Sequence, residues 1–234
     1  MIEEQVRTVK EELIQYATLV EKMIDKSIKG ITERNAAICK EVIETDEQRA
    51  NHLELRMDAI CTNLIVRYDP KAGDLRLALM AMKIGSDFER MADHAVNIAE
   101  SGVFLVAQPE VKPLVDIPRI TGIVMEMVRD TTSAFLERNA ERARKTCGRD
   151  NEVDTLRHQV ITELIVCMTK DPAVISRALH LLRVVDNLER IADLTTNISE
   201  DIVYLVTGEI IKHHCGEMQE ESDENNGVSA VDAY

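Results

Sequence analysis

The feature that most constrains this chain is that it says nearly the same thing twice. Asp87 to Glu100 reads DFERMADHAVNIAE, and Asn187 to Glu200 reads NLERIADLTTNISE. Glu89, Arg90, Ala92, Asp93, Asn97, Ile98 and Glu100 recur at Glu189, Arg190, Ala192, Asp193, Asn197, Ile198 and Glu200, at a constant offset (189 − 89 = 100). Around each copy apolar residues return at spacings of three and four: Ile84, Phe88, Met91, Ala95, Ile98, then Leu181, Val184, Leu188, Ile191, Ile198, Ile202, Leu205. That period is helical, so the duplicated unit is helical, and a fold built from it is an all-α internal repeat.

Position on the helix separates packing from chemistry. With Phe88 at heptad position a and Met91 at d, Glu89 falls at b, Asp93 at f and Asn97 at c, away from the apolar seam. The seam has drifted between copies, Phe88 to Leu188, Met91 to Ile191 and Ala95 to Thr195, while the polar positions have not. A charge stripe at b, c and f is ordinarily a solvated face. Here it is duplicated, and the preceding helix carries acids to match: Glu47, Asn51 and Glu54 in the first half, Asp150 and Asp154 in the second, with His158 one turn on. Like charges four residues apart cost a few tenths of a kcal/mol on an isolated helix. Antiparallel packing brings the two stripes face to face, and a cation such as Mg, Mn, Fe or Zn offsets the repulsion better than Arg90 or Arg190.

The expected layout is six long helices. The first runs from Ile2 to about Gly30; the second follows an Asn35 cap and ends near Tyr68; the third covers about Asp74 to Val106. Pro109, Pro113 and Pro118 mark a linker. The fourth helix covers about Ile120 to Glu137, Asn139 caps a fifth through Thr169, and Asp171-Pro172 starts a sixth that Gly208 ends. The two Asn caps lie 104 residues apart (139 − 35), the Asp-Pro turns 102 (171 − 69) and the last helices 100, so the drift falls in the loops. This divides the chain into a three-helix unit over 1–108, a linker over 109–118, a second unit over 119–215, and an acidic tail over 216–234 with six acids and no bases, expected to be disordered.

Composition narrows function further. The chain has 234 residues, a formal net charge of −14, no Trp, and 3% aromatics against 30% charged residues. A nucleic-acid partner is not expected, because phosphate neutralisation needs basic patches. No apolar run approaches a membrane span and the N-terminus lacks a signal core, so the expectation is a cytoplasmic protein. Cys39, Cys61, Cys147, Cys167 and Cys215 form no CxxC; Cys39, Cys61 and Cys167 read as buried free thiols. His94 has Leu194 as its counterpart and reads as a surface histidine. Ala92 and Ala192 stand where a di-iron bundle would need the histidine of Glu-x-x-His, and there is no nucleophile–base pair, phosphate loop or dinucleotide fingerprint. An enzyme is therefore not expected.

The segments MKIGSDFERMADHAVNIAE, DPKAGDLRLALMAMK and RALHLLRVVDNLERIADLTTNISEDIVYLVTGE resemble the two repeats of the PhoU family of bacterial phosphate-uptake regulators, and the likeness runs from the first helix through Gly208. The resemblance implies two three-helix bundles, each with a multinuclear metal cluster held by E(D)xxxD motifs. Carried over, these fall on Glu89/Asp93, Glu189/Asp193 and Asp150/Asp154, and on Glu47/Asn51, where Asn replaces an acid and implies a weaker first site. The family usually has Gly where this chain has Ala92, and commonly Gln where it has Asp69; neither change removes a ligand. The resemblance further implies a non-enzymatic role: restraint of phosphate uptake and of the phosphate-starvation two-component response, through contact with the ATPase subunit of the phosphate ABC transporter and with a sensor histidine kinase, often as a homodimer. A metal-free helical scaffold is the alternative, and a metal-dependent enzyme a more distant one.

Overall fold

The computed structural model describes residues 2–208, and the expectations for the acidic tail and Cys215 lie outside them. Helix α1 (Ile2–Thr32) is followed by α2 (Ala36–Glu41), a π-helical turn (Val42–Asp46) and α3 (Glu47–Tyr68), then α4 (Ala72–Val106). The second half repeats the order: α5 (Asp116–Glu137), α6 (Ala140–Cys147), α7 (Asp150–Lys170), a 3₁₀ turn (Pro172–Val174) and α8 (Ile175–Thr207).

The chain reverses after α1 and α5 by the same device. Arg34 and Arg138 take positive φ (53° and 52°), and the next amides close the turn, Asn35 N–H on Gly30 O at 2.8 Å and Asn139 N–H on Ala134 O at 2.9 Å. Each Asn then caps its helix, Oδ1 accepting from Ala37 N–H and from Arg142 N–H. Arginine stands where glycine is commonest, which is why the asparagines, and not the turns, stood out in the sequence.

Two expectations on helix continuity are corrected. The second and fifth helices are not regular throughout; the first is interrupted after the 6 residues of α2 and the other after the 8 residues of α6. In the first half the break is the π turn, which absorbs one extra residue: the caps are offset by 104 (139 − 35), but Glu47 and Asp150 by 103 (150 − 47). In the second half Gly148 and Arg149 form a turn. The fourth helix also starts earlier than Ile120, at Asp116, so Pro118 lies in its first turn, where a missing N–H costs nothing.

Tyr16 against Phe88 and Ile31 against Gly102 show that α1 and α4 run parallel, with α3 antiparallel beside both. Small residues set the spacing: a Cβ on Gly30 would sit 2.3 Å from Cys39 Sγ, and one on Gly102 2.7 Å from the same sulfur. The two units pack through α4 and α8, antiparallel, and through α1 and α5, so one apolar core runs through both. Repeat-related cations clamp this seam. Lys83 Nζ donates to Asp201 Oδ1 at 2.6 Å, and its counterpart Arg183 reaches Glu100 Oε2 at 2.9 Å. Within the second unit, Thr131 of α5 and Ser199 of α8 pair their hydroxyls in the core at 2.7 Å.

Cysteines and His94 depart partly from expectation. Cys39 and Cys61 are buried free thiols, and burial pushes the Cys61 thiol up to about 12. Cys147 is also buried, under α8, whereas Cys167 is only half covered near the open end of α7. His94 is not a surface residue. It is half-buried in the α4–α8 seam, its Nδ1–H donating to Asn187 Oδ1 at 2.8 Å, and burial lowers its pKa against the pull of that hydrogen bond.

Candidate metal centres

Each unit gathers carboxylates where its middle helix meets its last. In the first, Glu54 of α3 faces Glu89 and Asp93 of α4. Burial raises the Glu89 pKa, and repulsion from Asp93 and Glu54 adds to it; Arg90 opposes, and a hydrogen-bonding contact with Asp93 raises it further. Beneath them lies the phenol of Tyr16 from α1, fully buried, its hydroxyl without a hydrogen-bond partner. Burial and the fields of Glu54, Glu89 and Asp93 push its ionisation well above the ordinary tyrosine range. The hydroxyl is therefore a donor beside three acceptors.

In the second unit Asp150 and Asp154 of α7 face Glu189 and Asp193 of α8. Burial, then Asp193, Asp154 and Glu189, lift Asp150 from 3.8 to about 6. Its Oδ1 is buried and has no hydrogen-bond partner. Burial also raises Glu189 and Asp193, the latter next by Asp154. Arg157 opposes these shifts but is committed elsewhere, its guanidinium bonding Asp186 at 2.8–2.9 Å. At the 103-residue offset that aligns Glu47 with Asp150, Arg157 falls on Glu54 and Asp154 on Asn51. The two centres thus differ by exchange: the first has a third-turn acid and a phenol, the second an extra Asp and a nearby Arg.

The remaining predicted residues are placed as follows. Glu47 and Asn51 lie on the same edge of α3 as Glu54, one to two turns towards the π turn, Glu47 half-buried and Asn51 exposed. Asn97 does not complete the first cluster; its Oδ1 accepts from Arg183 across the seam at 2.6 Å. Asn197, its counterpart, is exposed. Asp93, Asn97, Asp193 and Asn197 line one shared groove of about 470 Å³ between α4 and α8, with Arg90, Arg190, His94 and Leu194. The duplicated stripes predict one groove in each unit, whereas the antiparallel α4–α8 pair brings the recurring residues onto one channel.

Among the described residues none of Glu54, Glu89, Asp93, Asp150, Asp154, Glu189 or Asp193 is closer than 4.0 Å to a cationic side chain in a salt bridge, whereas Asp46, Asp87, Asp186 and Asp201 all are. Nor do three or more His, Cys, Asp or Glu side chains converge on one point at ligand distance among those residues. The donors are all oxygen, the choice of a hard or borderline cation, and two buried oxygens, Tyr16 Oη and Asp150 Oδ1, await a partner. The residues fit a cation, which would draw them together.

Tyr16 was missed in the sequence because it sits on the apolar seam of α1, where a tyrosine reads as core. Asp46 was missed because the acidic run around it hides the π turn, which buries it against Lys26 at 2.7 Å.

A tandem of three-helix units joined through antiparallel last helices, with an acidic cluster on each, defines a duplicated helical-bundle protein. The PhoU domain model matches it twice, over residues 13–102 and 117–202, and the chain belongs to the PhoU family. It is 40% identical over 204 residues to a phosphate-specific transport system accessory protein PhoU homolog of Aquifex aeolicus, covering 87% of this chain and 92% of that one. A Deinococcus radiodurans homolog of the same name is 35% identical over 189 residues, 81% and 88% of the two chains. The crystal structure of PhoU from Pseudomonas aeruginosa superposes with a TM-score of 0.85 at 29% identity, covering 89% of this chain and all of that one. PhoU from Streptococcus pneumoniae shares the fold, with a TM-score of 0.82. No described helix is long and apolar enough to cross a membrane.

Proposed function

We propose that this chain is a cytoplasmic negative regulator of phosphate uptake and of the phosphate-starvation two-component response. It acts by contact with the ATPase subunit of the phosphate ABC transporter and with a sensor histidine kinase, as a homodimer. Each unit holds cations, Fe, Zn, Mn or Mg, singly or as a multinuclear cluster. The first centre draws on Glu54, Glu89 and Asp93 with Tyr16 as donor beneath, and on Glu47 and Asn51; the second draws on Asp150, Asp154, Glu189 and Asp193.

The observation that carries the cation reading is the contrast among the acids. Three buried carboxylates elsewhere in the molecule, Asp46, Asp87 and Asp201, each sit in a salt bridge with Lys or Arg, while among the described residues no Lys or Arg forms a salt bridge to the repeat-related clusters, whose acids repel one another. A bound ion supplies positive charge that cancels the repulsion. The residues themselves then tie α3 to α4 and α7 to α8, stiffening the face that a partner reads. The bland alternative, a metal-free helical adaptor, is favoured by the distances, since no three candidate ligands converge among the described residues.

Elemental analysis of protein purified without chelator separates these. Wild type is expected to carry metal that Asp93→Ala and Asp193→Ala each reduce; equal content in all three refutes the assignment. Gentle crosslinking and pull-down from phosphate-replete cells is expected to recover a transporter ATPase or a histidine kinase, and recovery of neither refutes the partner reading.

A further inference from the structure

The acidic edge of α3 has an opposite. At 100° per residue, Glu47, Asn51 and Glu54 point one way, while Gln48, Arg49, His52 and Arg56 point roughly 150° around the helix. The second edge meets α1 along a groove of about 710 Å³ lined by Ile14, Thr18, Leu19, Lys22, Thr45 and Leu53 together with those four. No Asp or Glu lines it, in a chain with 42 acids and 28 bases. Arg56 is aimed by Glu12, an acid only 2% exposed whose Oε2 lies 3.1 Å from it, and Arg49 by Asp46 at 3.2 Å. Each guanidinium keeps further N–H donors for an outside acceptor. Lys22 and His52 are exposed, with no ion pair or hydrogen bond among the described residues. The floor is apolar, and Ile14 is 39% exposed on it.

We infer that this basic groove docks the chain's own acidic C-terminal segment, residues 217–224. That segment, EMQEESDE, has five acids and no base. Its point of departure is known: Gly208, with φ 79°, ends α8 beside Arg76 near the start of α4. The parallel register of α1 with α4 puts Arg76 level with α1 residue 4, so the groove centre at Thr18 lies ~20 Å further along the axis. Crossing from α8 to the outer α1–α3 face takes about two interhelical spacings, ~20 Å. The path is then roughly 30 Å. Twelve residues from Gly208 to Glu220 reach up to ~40 Å when extended, long enough for that path. Opposite charges there gain from proximity enforced by the covalent link.

Zero-length carbodiimide crosslinking of the full chain at low concentration, read by mass spectrometry, tests this. Lys22 is the only lysine in the groove, and it is expected to form amides with Glu217–Glu224 within the monomer band. Gln48→Glu with His52→Glu places two acids in the groove at exposed positions that hold no partner. It is expected to cut that product at least about fivefold, as is a rise to about 0.5 M salt, both through screening or reversal of the local field. A Lys22–tail yield no higher than that of exposed Lys40 overturns the inference. So does product found only between two copies, or product indifferent to both the substitutions and salt. The outcome is independent of metal content and of pull-down partners.

Discussion

Replacing Asp150 by Asn tests whether the acidic clusters are electrostatically costly when empty. Asp150 is held at about 6 in the fold against 3.8 when free, by burial first and then by Asp193, Asp154 and Glu189. A carboxyl whose native pKa is raised costs stability in its charged form. The penalty is absent below about pH 3.8, grows between there and about pH 6, and is complete above. The full shift is worth up to ~3 kcal/mol, and the partial solvent access of this side chain reduces it to ~1–2 kcal/mol. Against this, Asp150 lies in the first turn of α7, where a negative charge gains ~0.3–1 kcal/mol from the helix end. The expected net result is that Asp150→Asn stabilises chelator-treated protein by ~1 kcal/mol at pH 7.5 and by nothing at pH 3.5. Urea unfolding at the two pH values, with an excess of EDTA at the higher, measures it. Adding Mn²⁺ or Zn²⁺ at pH 7.5 is expected to reverse the order, wild type gaining more than the variant. If Asp150→Asn destabilises the chelated protein equally at both pH values, the side chain is structurally satisfied and the repulsion argument fails.

Three further outcomes follow from the packing. Gly102→Ala puts a Cβ 2.7 Å from Cys39 Sγ and 2.9 Å from Ile31, and is expected to cost ~1–3 kcal/mol by thermal unfolding; Gly122→Ala, with open space around it, is the control and should be neutral or stabilising. Lys83→Met leaves the nearly buried Asp201 beside Asp87 without its 2.6 Å partner and is expected to lose ~1–3 kcal/mol at pH 7, read by urea unfolding. Tyr16→Phe removes a buried unpaired hydroxyl and is expected to leave the chelated fold within about 1 kcal/mol of wild type, while lowering metal content at the first centre only.

Much of this molecule is legible in one dimension because a helix writes its faces into the sequence at a fixed period. The repeat, the two Asn caps, the seam residues from Phe88 to Ile98 and the polar stripe carrying Glu89 and Asp93 are all local signals, set by residues within one or two turns. What Asn97 does is not local. Its fate was decided by Arg183 arriving from the other unit, 86 residues away, just as His94 was drawn inward by Asn187. The same holds for the pairing of Glu54 with Glu89, which depends on how the π turn shifts α3 by one residue, and for Tyr16, whose place under three carboxylates follows from the register of α1 on α4. The covalent chain by itself determined which side chains share a helical face; only three-dimensional packing decided which faces meet, because register between helices is set by the sum of many apolar contacts and by no single residue.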